Sequence, residues 1–249
     1  MGEILGIDIG GSGIKGAPVN VETGELTDER IKVFTPKPSL PDAVTAAVNE
    51  VASGFSWEGP IGVGFPGLVI NGIVRTAPNL HPSWEGEDAQ AEFSNSTDLP
   101  VTVLNDADAA GLAEVRFGAG KDVQGTLMAL TFGSGIGSAL FRGGALIPNT
   151  EFGHLEFQGE EAEKRASADA RKHEKLSWDQ WAGRANSFLK YLEMLFSPEL
   201  FIVGGGISRK HEKFLSKIET LAPVVPAELR NNAGIVGAAM AAAVAYEEV

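Results

Sequence analysis

Residues 4–16 read Ile-Leu-Gly-Ile-Asp-Ile-Gly-Gly-Ser-Gly-Ile-Lys-Gly, an apolar strand that ends in a carboxylate, Asp8, and then turns. The turn consists of Gly10, Gly11, Ser12 and Gly13. Glycines allow backbone N–H groups to crowd around an anion, to which Ser12 adds a hydroxyl and Lys15 a positive charge. Because Asp8 would repel a bare phosphate, the pattern predicts a bridging Mg²⁺ or its water shell. A β-hairpin with a ligand-free glycine turn is an equally good interpretation of this segment alone.

A second segment of the same kind covers residues 126–141, Thr-Leu-Met-Ala-Leu-Thr-Phe-Gly-Ser-Gly-Ile-Gly-Ser-Ala-Leu-Phe. It again predicts a strand, a glycine turn and a strand. Its turn region contains Thr131, Gly133, Ser134, Gly135 and Gly137. Two such segments imply two similar halves whose loops grip one phosphate chain from opposite sides. A Rossmann fingerprint needs a helix after its glycines, and a Walker loop needs Gly-Lys before Ser or Thr; neither pattern occurs in these segments.

The composition is that of an ordinary globular protein. The chain has 249 residues, 43% of them hydrophobic, and a mean hydropathy of +0.01. That length supports one large domain or two modest ones. There is no run of 18 apolar residues, so no transmembrane helix is expected. We also expect no signal peptide and no appended DNA-binding module, because the first strand starts almost at once.

The charge balance and the lack of cysteine exclude several classes. Asp and Glu total 33 against 20 Lys and Arg, a net charge of −13, which argues against nucleic-acid and anionic-membrane partners. A polyanionic ligand would therefore need a local track of basic residues. The absence of cysteine excludes disulfides and thiolate metal sites, and it fits a cytoplasmic location.

The remaining pattern predicts an α/β protein. We expect strands near 3–9, 14–21, 26–34, 60–65, 100–104, 125–132, 136–142 and 200–203, and helices near 41–53, 107–117, 177–196 and 234–247. A short hairpin is expected around Asn71-Gly72. A third glycine turn, Gly204-Gly205-Gly206, follows strand 200–203. The charged segment 158–175 is expected to be an exposed, partly helical excursion.

Asn105-Asp106-Ala107-Asp108 lies where a strand becomes a helix. Asn105 or Asp106 can cap that helix, which is the usual role of such residues. A carboxylate here can also accept a proton from a substrate hydroxyl while Asn105 binds neighbouring hydroxyls, because phosphoryl transfer needs one oriented base and charge neutralisation on the phosphate. Asp108 is expected to face solvent or to support the turn.

Glu151-Phe152-Gly153-His154 offers a second set of polar side chains. Glu151 and His154 in one turn can both point at a polyol, although an isolated histidine is more often a packed residue. Metal binding by His154 is not expected, because no cysteine completes a shell. Asn79 lies on an irregular segment before Trp84, and Trp84 can pack either on a sugar face or into the core.

Together these segments resemble the ROK family of sugar kinases, within the actin–hexokinase–Hsp70 superfamily. The resemblance spans essentially the whole chain and rests on Gly6-Ile-Asp8-Ile-Gly-Gly-Ser-Gly13, Gly64-Phe-Pro-Gly67, Asn105-Asp106-Ala-Asp108, Thr131-Phe-Gly-Ser-Gly-Ile-Gly137, Glu151-Phe-Gly-His154 and Phe201-Ile-Val-Gly-Gly-Gly206. It implies a ribonuclease H-like α/β fold of two lobes, 1–118 plus 234–249 and 119–233, with a cleft between them.

The resemblance also implies roles for individual residues. Asp106 is expected to be the base that takes the proton from the sugar 6-hydroxyl. The expected sugar ligands are Asn79, Asn105, Glu151, His154 and Glu163. Mg²⁺ is expected as the cofactor, positioned by Asp8 through water, and Gly204–Gly206 are expected under the nucleoside when ATP is bound. The family likeness further suggests a homodimer.

One departure from the family pattern is informative. Most ROK proteins follow Glu-x-Gly-His with a zinc-binding cysteine cluster and then Glu-x-x-Ala-Ser. Here Glu163-Lys-Arg-Ala-Ser167 is present without the cysteines, so no structural zinc is expected. This cysteine-free form, with Ser197-Pro-Glu-Leu-Phe-Ile-Val-Gly-Gly-Gly-Ile-Ser208, looks like the polyphosphate-using glucokinases of the family.

The subfamily likeness implies glucose, and possible mannose, as acceptors and inorganic polyphosphate with ATP as donors. Candidate cations along a polyphosphate path are Lys121, Arg142, Lys164, Arg165, Arg209 and Lys210. An ATP-only hexose kinase is the alternative within the same class. A sugar-sensing regulator is the alternative from another class, and both the retained Asp106 and the missing N-terminal DNA-binding module argue against it.

Overall fold

The computed structural model describes residues 2–247. It contains two compact units. The first unit comprises residues up to Ala113 together with those from Asn232 onward, and the second unit comprises Glu114–Asn231. Within residues 2–247, no helix combines the length and the apolar character needed to cross a bilayer.

A six-stranded sheet forms the centre of the first unit. The strands of this unit are β1 (Glu3–Gly10), β2 (Gly13–Asn20), β3 (Glu25–Leu26), β4 (Ile31–Val33), β5 (Ile61–Phe65), β6 (Val69–Ile70), β7 (Ile73–Val74) and β8 (Val101–Asn105). The sheet order is β3-β2-β1-β5-β8, with β4 also paired to β2. β1 is antiparallel to β2 and parallel to β5, and β5 is parallel to β8. β6 and β7 form the separate hairpin expected around Asn71-Gly72.

A second sheet repeats this arrangement in the second unit. Its unit contains β9 (Thr126–Phe132), β10 (Ile136–Arg142), β11 (Ala145–Ile147), β12 (Glu156–Phe157), β13 (Glu160–Glu161), β14 (Leu200–Gly204) and β15 (Val224–Pro226). The main sheet has the order β11-β10-β9-β14-β15, with β9, β14 and β15 parallel and β10 antiparallel to both of its neighbours. In both sheets an antiparallel hairpin is therefore followed by parallel strands added beside its first strand.

Seven α-helices pack on these sheets in the described part of the chain. They are α1 (Pro41–Gly54), α2 (Ala89–Thr97), α3 (Asp106–Phe117), α4 (Ala162–Ala166), α5 (Ala168–His173), α6 (Trp178–Phe196) and α7 (Ala233–Glu247). Proline in the first turn starts α1, as the sequence predicts, and Ser177 with Gln180 forms a capping box at the start of α6. The apolar face of α6 is buried through Trp181, Phe188 and Leu192.

The sequence prediction missed some elements and misjudged others. α2 was missed because its only buried apolar side chains are Ala89 and Phe93, so it has almost no periodic signal. The predicted strand 26–34 is two short strands, since the polar residues 27–30 between them do not pair. Strands β11 and β15, each three residues long, were also missed because such short segments show no alternation.

The charged segment 158–175 is partly helical, as expected, but it is not simply an exposed excursion. Ala162 and Ala166 are fully buried, and Ser167 is nearly so. The indole N–H of Trp181, on α6, donates to the carbonyl of Ala166 at 2.9 Å. The small residues between the charges anchor this segment in the core of the second unit, which the count of charges did not reveal.

Two glycines allow α7 to lie directly on the first sheet. A Cβ atom on Gly6 of β1 would overlap the carbonyl of Ile235, and one on Gly62 of β5 would overlap the carbonyl of Ala238. The alanine-rich sequence of α7 complements this, because small side chains let a helix backbone approach a sheet closely. The first turn of α7 is thereby held beside β1.

Glu114, at the start of the second unit, is a buried acid that accepts hydrogen bonds from the backbone. It is only 2% exposed. Its carboxylate accepts three backbone N–H groups, from Ala119 at 3.0 Å, Glu228 at 3.0 Å and Leu229 at 2.8 Å. Glu114 thus ties the chain segment after α3 to the segment that leads back towards α7.

We expect Glu114→Gln to lower the free energy of unfolding by about 1–3 kcal/mol, because an amide replaces one accepting oxygen with a donor that faces backbone N–H groups. Urea unfolding followed by circular dichroism measures the change. Glu50→Gln, at an exposed position of α1, is the control and should leave the unfolding midpoint unchanged. Equal midpoints for all three proteins would contradict the role given to Glu114.

Candidate active site

The hairpin of β1 and β2 presents the first glycine turn. Gly10 pairs with Gly13, so the turn itself is Gly11-Ser12, and both of these residues are exposed. Asp8 lies directly across from Lys15 in the same hairpin. Residues paired in this way lie on one face of a sheet, so the carboxylate and the ammonium flank the turn together.

Two residues near this turn were not found from the sequence. Lys32 of β4 pairs with Lys15, so a second lysine joins the row that begins at Asp8. Gly234 lies in the first turn of α7, and a Cβ there would come within 2.9–3.4 Å of the Asp8 side chain. No local sequence pattern marks Gly234, because its position beside Asp8 depends on how α7 packs against β1.

Burial raises the pKa of the Asp8 carboxyl above its ordinary value, and the charge of Lys15 acts in the opposite direction. An ionised Asp8 is therefore held at an energetic cost. A cation close to this carboxylate would offset the cost, because an opposite charge favours the ionised form. A single carboxylate is a donor that Mg²⁺ accepts, since Mg²⁺ is usually bound through one or two carboxylates and keeps several of its waters.

Asn105 and Asp106 lie at the same edge of the first sheet. β1, β5 and β8 run parallel, and their carboxyl ends lead to the turn at Gly11, to Pro66 and to Asp106 respectively. Gly64 of β5 pairs with Asp8, and a Cβ on it would lie 3.6 Å from the Cα of Asp106. The first unit thus brings the phosphate-type turn, Asp8 and Asp106 to one edge, where α/β proteins generally bind ligands.

Asn105 is buried and its side chain is engaged within the protein. Its Oδ1 accepts N–H groups from Ala107 at 2.8 Å and Asp108 at 3.1 Å, and its Nδ2 donates to the carbonyl of Gly67 at 3.0 Å. It therefore caps α3, as one of the two sequence interpretations held, and it fixes the backbone on which Asp106 stands. Two roles were expected for Asp108: it is 2% exposed, so it does not face solvent, and its support of the turn stays a prediction.

The second unit presents the other two glycine turns. In the β9–β10 hairpin the N–H of Gly133 donates to the carbonyl of Gly135 at 3.0 Å. Thr131 pairs with Gly204, so the turn at 133–135 and the turn at 204–206 leave neighbouring parallel strands at the same edge. Gly133, Ser134 and Gly206 line one cavity there. The structure therefore brings two of the predicted donor-binding turns together.

At three positions in the glycine turns, nothing in the described part of the protein requires the residue to be glycine. Next to Gly11, Gly133 and Gly206 the space that a Cβ would take is open, and none of the three has a φ in the left-handed range. Gly205 differs, because its φ is 75° and a Cβ would overlap the backbone of Phe132. In a turn where neither φ nor a neighbour demands glycine, close approach of a ligand to the backbone is one use that glycine has.

Glu151, His154 and Glu163 form one cluster in the second unit. An Nε2 to Oε2 distance of 3.8 Å joins His154 to Glu151, and an Nδ1 to Oε1 distance of 3.9 Å joins it to Glu163. Glu163 also accepts the N–H of Ile136 at 3.1 Å, and a Cβ on Gly135 would overlap its carboxylate. Glu163 therefore links the cluster to the turn at 133–135.

Glu161 completes the cluster and was not found from the sequence. Its Oε1 lies 3.6 Å from Nδ1 of His154, and ligand atoms of His154, Glu161 and Glu163 all lie within 4.8 Å of one another. Imidazole and carboxylate donors suit a divalent cation, so the lack of cysteine does not by itself exclude one here. Glu161 is already bound to Lys164 at 2.7 Å, however, and Glu163 to the backbone.

The pKa of Glu151 is raised above its ordinary value. Burial is the main cause, the neighbouring charge of Glu163 adds to it, and His154 opposes both. About a third of the Glu151 side chain, 32%, stays exposed, so the carboxylate remains open to a ligand. The cluster combines acceptors with one imidazole, which is a suitable set for sugar hydroxyls.

Asn79 and Trp84 are the remaining candidates. Asn79 lies in an exposed turn of the first unit, and its role as a sugar ligand stays a prediction. Trp84 is fully buried, stacks edge-on against Phe65 and donates its indole N–H to the carbonyl of Ser39 at 3.1 Å. Trp84 is thus a core residue, which decides between its two sequence interpretations.

Comparison with known proteins identifies the family. The ROK family matches residues 4–164, which is more than half of the chain. The chain belongs to the ROK family. As in other ROK kinases, its two repeated sheets form the actin/hexokinase-like fold, and this confirms the fold class expected from the sequence.

Individual ROK relatives are similar over nearly the whole chain. A polyphosphate glucokinase of Mycobacterium tuberculosis is 52% identical over 241 residues, covering 95% of this chain and 90% of that protein. The crystal structure of an inorganic polyphosphate/ATP-glucomannokinase from Arthrobacter sp. strain KM superimposes with a TM-score of 0.95 at 47% identity, over 98% of this chain and all of that one (100%).

A ROK family glucokinase from Streptomyces griseus, crystallised in complex with glucose and AMPPNP, is more distant. It superimposes with a TM-score of 0.81 at 29% identity, over 98% of this chain and 100% of that one. The three relatives agree with the resemblance that the sequence motifs carried.

We expect Gly11→Ala and Gly133→Ala to weaken the binding of tripolyphosphate at least about tenfold, because a methyl group would enter the space beside the backbone N–H groups and displace charge-assisted hydrogen bonds. Isothermal titration calorimetry measures the binding. Since nothing in the protein occupies that space, both variants should keep the free energy of unfolding within about 0.5 kcal/mol of the starting protein.

Gly183→Ala is the matched control, because Gly183 on α6 also has open space at its Cβ position but lies in no turn. It should bind tripolyphosphate normally. Unchanged binding in Gly11→Ala and Gly133→Ala would mean that these glycines serve no ligand.

Proposed function

We propose that this chain transfers a phosphoryl group from inorganic polyphosphate to the 6-hydroxyl of glucose, with ATP as a second donor and mannose as a possible second acceptor. One observation carries the proposal: Asp106 and the phosphate-type turn at residues 10–13 share the carboxyl edge of one sheet. The 52% identity to a polyphosphate glucokinase, over 95% of the chain, supports the choice of acceptor and donor.

Asp106 orients the sugar hydroxyl and takes its proton as the new bond to phosphorus forms. Phosphoryl transfer asks little covalent chemistry of the protein, so a positioned base and charge neutralisation are the main requirements. Asn105 supports this role indirectly, because its capping of α3 and its bond to Gly67 fix the peptide that carries Asp106.

The glycine turns hold the donor through backbone N–H groups. Ser12 and Ser134 add hydroxyls to their turns, and Lys15 offsets the negative charge that develops on the transferred group. Asp8 would hold Mg²⁺ through water, and the ion when bound supplies charge neutralisation between the donor's phosphates. Gly204–Gly206 support the nucleoside when ATP is the donor.

Glu151, His154 and Glu163 bind the sugar hydroxyls in the proposal, with Asn79 as a further ligand. Asn105 would contribute the second hydrogen of its Nδ2, since the first bonds to Gly67. The ion-pair distances of 3.6–3.9 Å around His154 are longer than hydrogen bonds, so sugar hydroxyls placed among these groups can take over as partners. A cytoplasmic location, which the lack of cysteine fits, and a homodimer, which the family likeness suggests, complete the proposal.

Initial rates with glucose or mannose, each with long-chain polyphosphate, ATP or ADP, test the function directly. Hexose 6-phosphate formed from polyphosphate and glucose is the expected product. Transfer from ATP alone would replace the proposal by an ATP-only hexose kinase, and no transfer from any donor would reject the kinase assignment.

We expect Asp106→Asn to lower kcat about 10²–10⁴-fold, because a positioned general base contributes about that much. Glucose binding, measured by intrinsic fluorescence, should change far less than kcat. Asp42→Asn, which alters the first-turn acid of α1, is the matched control and should keep normal turnover. Near-normal kcat in Asp106→Asn would remove Asp106 from the role of base.

The pH dependence of glucose binding should depend on Glu151. Because burial raises its pKa, the carboxylate becomes protonated at a higher pH than an ordinary glutamate and then no longer accepts hydrogen bonds at both oxygens. The KM for glucose should therefore rise as the pH falls through that raised pKa.

In Glu151→Gln we expect the KM for glucose to be about tenfold higher at neutral pH. Because the amide does not titrate, the rise of the KM at acidic pH (the acid limb of the profile) should disappear. Glu156→Gln, an exposed neighbour, should keep the starting profile. An unchanged acid limb in Glu151→Gln would assign the titration to another group.

A further inference from the structure

The cavity beside the turns at 133–135 and 204–206 is also lined by residues that the sequence analysis did not assign to this site. Its volume is ≈ 340 Å³, within the range of about 300–1,000 Å³ that ligand pockets usually have. Three cationic side chains line it: Arg171 and Lys172 from α5, and Lys210 from the segment Gly206–Lys213 that follows β14. Asp169 is the acid that accompanies them.

The charge of this lining is opposite to that of the chain. The protein carries a net charge of −13, yet three cations face one carboxylate here. Lys172 binds Asp169 at 2.7 Å, which accounts for the acid. Within residues 2–247, Arg171 and Lys210 make no ion pair with any carboxylate. Two positive charges therefore remain uncompensated at the cavity.

Arg171 is held in place by an aromatic side chain. Its guanidinium lies 3.8 Å from the ring centroid of Trp178, and that indole stacks in turn on Phe214 at 6.1 Å with an interplanar angle of 15°. Trp178 is thus already covered by a cation, so it does not offer this face to a purine base. The buried Nε of Arg171 finds no acceptor among the described residues.

We propose that this cavity binds the distal phosphates of a polyphosphate donor, those behind the phosphoryl group that is transferred. The inference rests on the proposed function and adds to it the residues that select this donor. Guanidinium and ammonium groups are donors only, and each phosphate of the chain brings an ionised oxygen for them. With ATP, the nucleoside takes the same place and gains much less from the cations.

In this proposal the polyphosphate enters the cavity past Ser134 and the open backbone at Gly133. It leaves towards Lys210, beyond the open backbone at Gly206. Of the cations that the sequence offered for a polyphosphate path, only Lys210 lines this cavity. Arg171 and Lys172 are found only from the structure.

The test compares donors in Lys210→Ala and in the double variant Lys172→Ala/Lys210→Ala. Both lysines are exposed, so folding should be unaffected, and Lys210→Ala avoids uncovering Asp169. With glucose saturating, the KM for long-chain polyphosphate should rise about threefold to tenfold in the single variant and more in the double variant, whereas the KM for ATP should change less than about twofold.

The salt dependence supplies a readout that a purely structural role would not move. For a polyanion, the slope of log KM against log salt concentration should become shallower by about one unit for each cation removed. Lys190 is an exposed lysine of α6 that does not line the cavity, so Lys190→Ala is the control and should leave both KM values and the slope unchanged.

An equal rise in KM for both donors, or no rise for polyphosphate, would overturn the assignment of the cavity. Calorimetric binding of polyphosphate to Asp106→Asn, with and without the lysine substitutions, tests the cavity without turnover. If the lysine substitutions weaken polyphosphate binding but the unaltered protein forms no glucose 6-phosphate from any donor, the proposed function fails while the cavity assignment stands.

Discussion

Parallel pairing of β1, β5 and β8 is the constraint on which the candidate active site depends, because parallel strands deliver their carboxyl ends to a single edge. Asp8 and the turn after it are far from Asp106 in sequence, and all three come to that edge only through this pairing. The close approach of α7, which Gly6 and Gly62 permit, then sets the first turn of the helix against Asp8. A bulkier residue at either glycine would move the helix away from the sheet and from the carboxylate.

The second unit has the same sheet topology but presents different residues at the carboxyl edge of its sheet. Its parallel pair β9 and β14 delivers two glycine turns to one edge, and no acid equivalent to Asp106 follows β14 in the sequence. Instead the segment that contains α4 and α5 packs beside those turns and contributes Glu163 on one side and Arg171 with Lys172 on the other. A repeated scaffold thus carries chemistry that differs between the units because the inserted segments differ.

The distribution of charge also differs from one part of the protein to another. An acidic chain that handles polyanionic donors gains nothing from its overall field, so the attraction must be local. Local cations occur in two places, the row Lys15 and Lys32 beside the first turn and the group Arg171, Lys172 and Lys210 beside the second and third. The acidic cluster around His154 has partly exposed carboxylates, and its proposed ligands, the neutral hydroxyls of a sugar, do not need a positive surrounding.

The sequence by itself determined the features that are written locally: the strand-and-glycine-turn segments, the capped helices α1 and α6, the helix start at Asn105-Asp106, and through its motifs the family. Only the tertiary structure decided which of these come together. It assigned Asn105 to capping and Trp84 to the core, and it found Lys32, Gly234, Glu161, Arg171 and Lys172 as neighbours of the predicted residues. The reason is physical, since a residue's spacing along the chain reports its own helix or strand, whereas its partners in a site are set by sheet register and helix packing between distant segments.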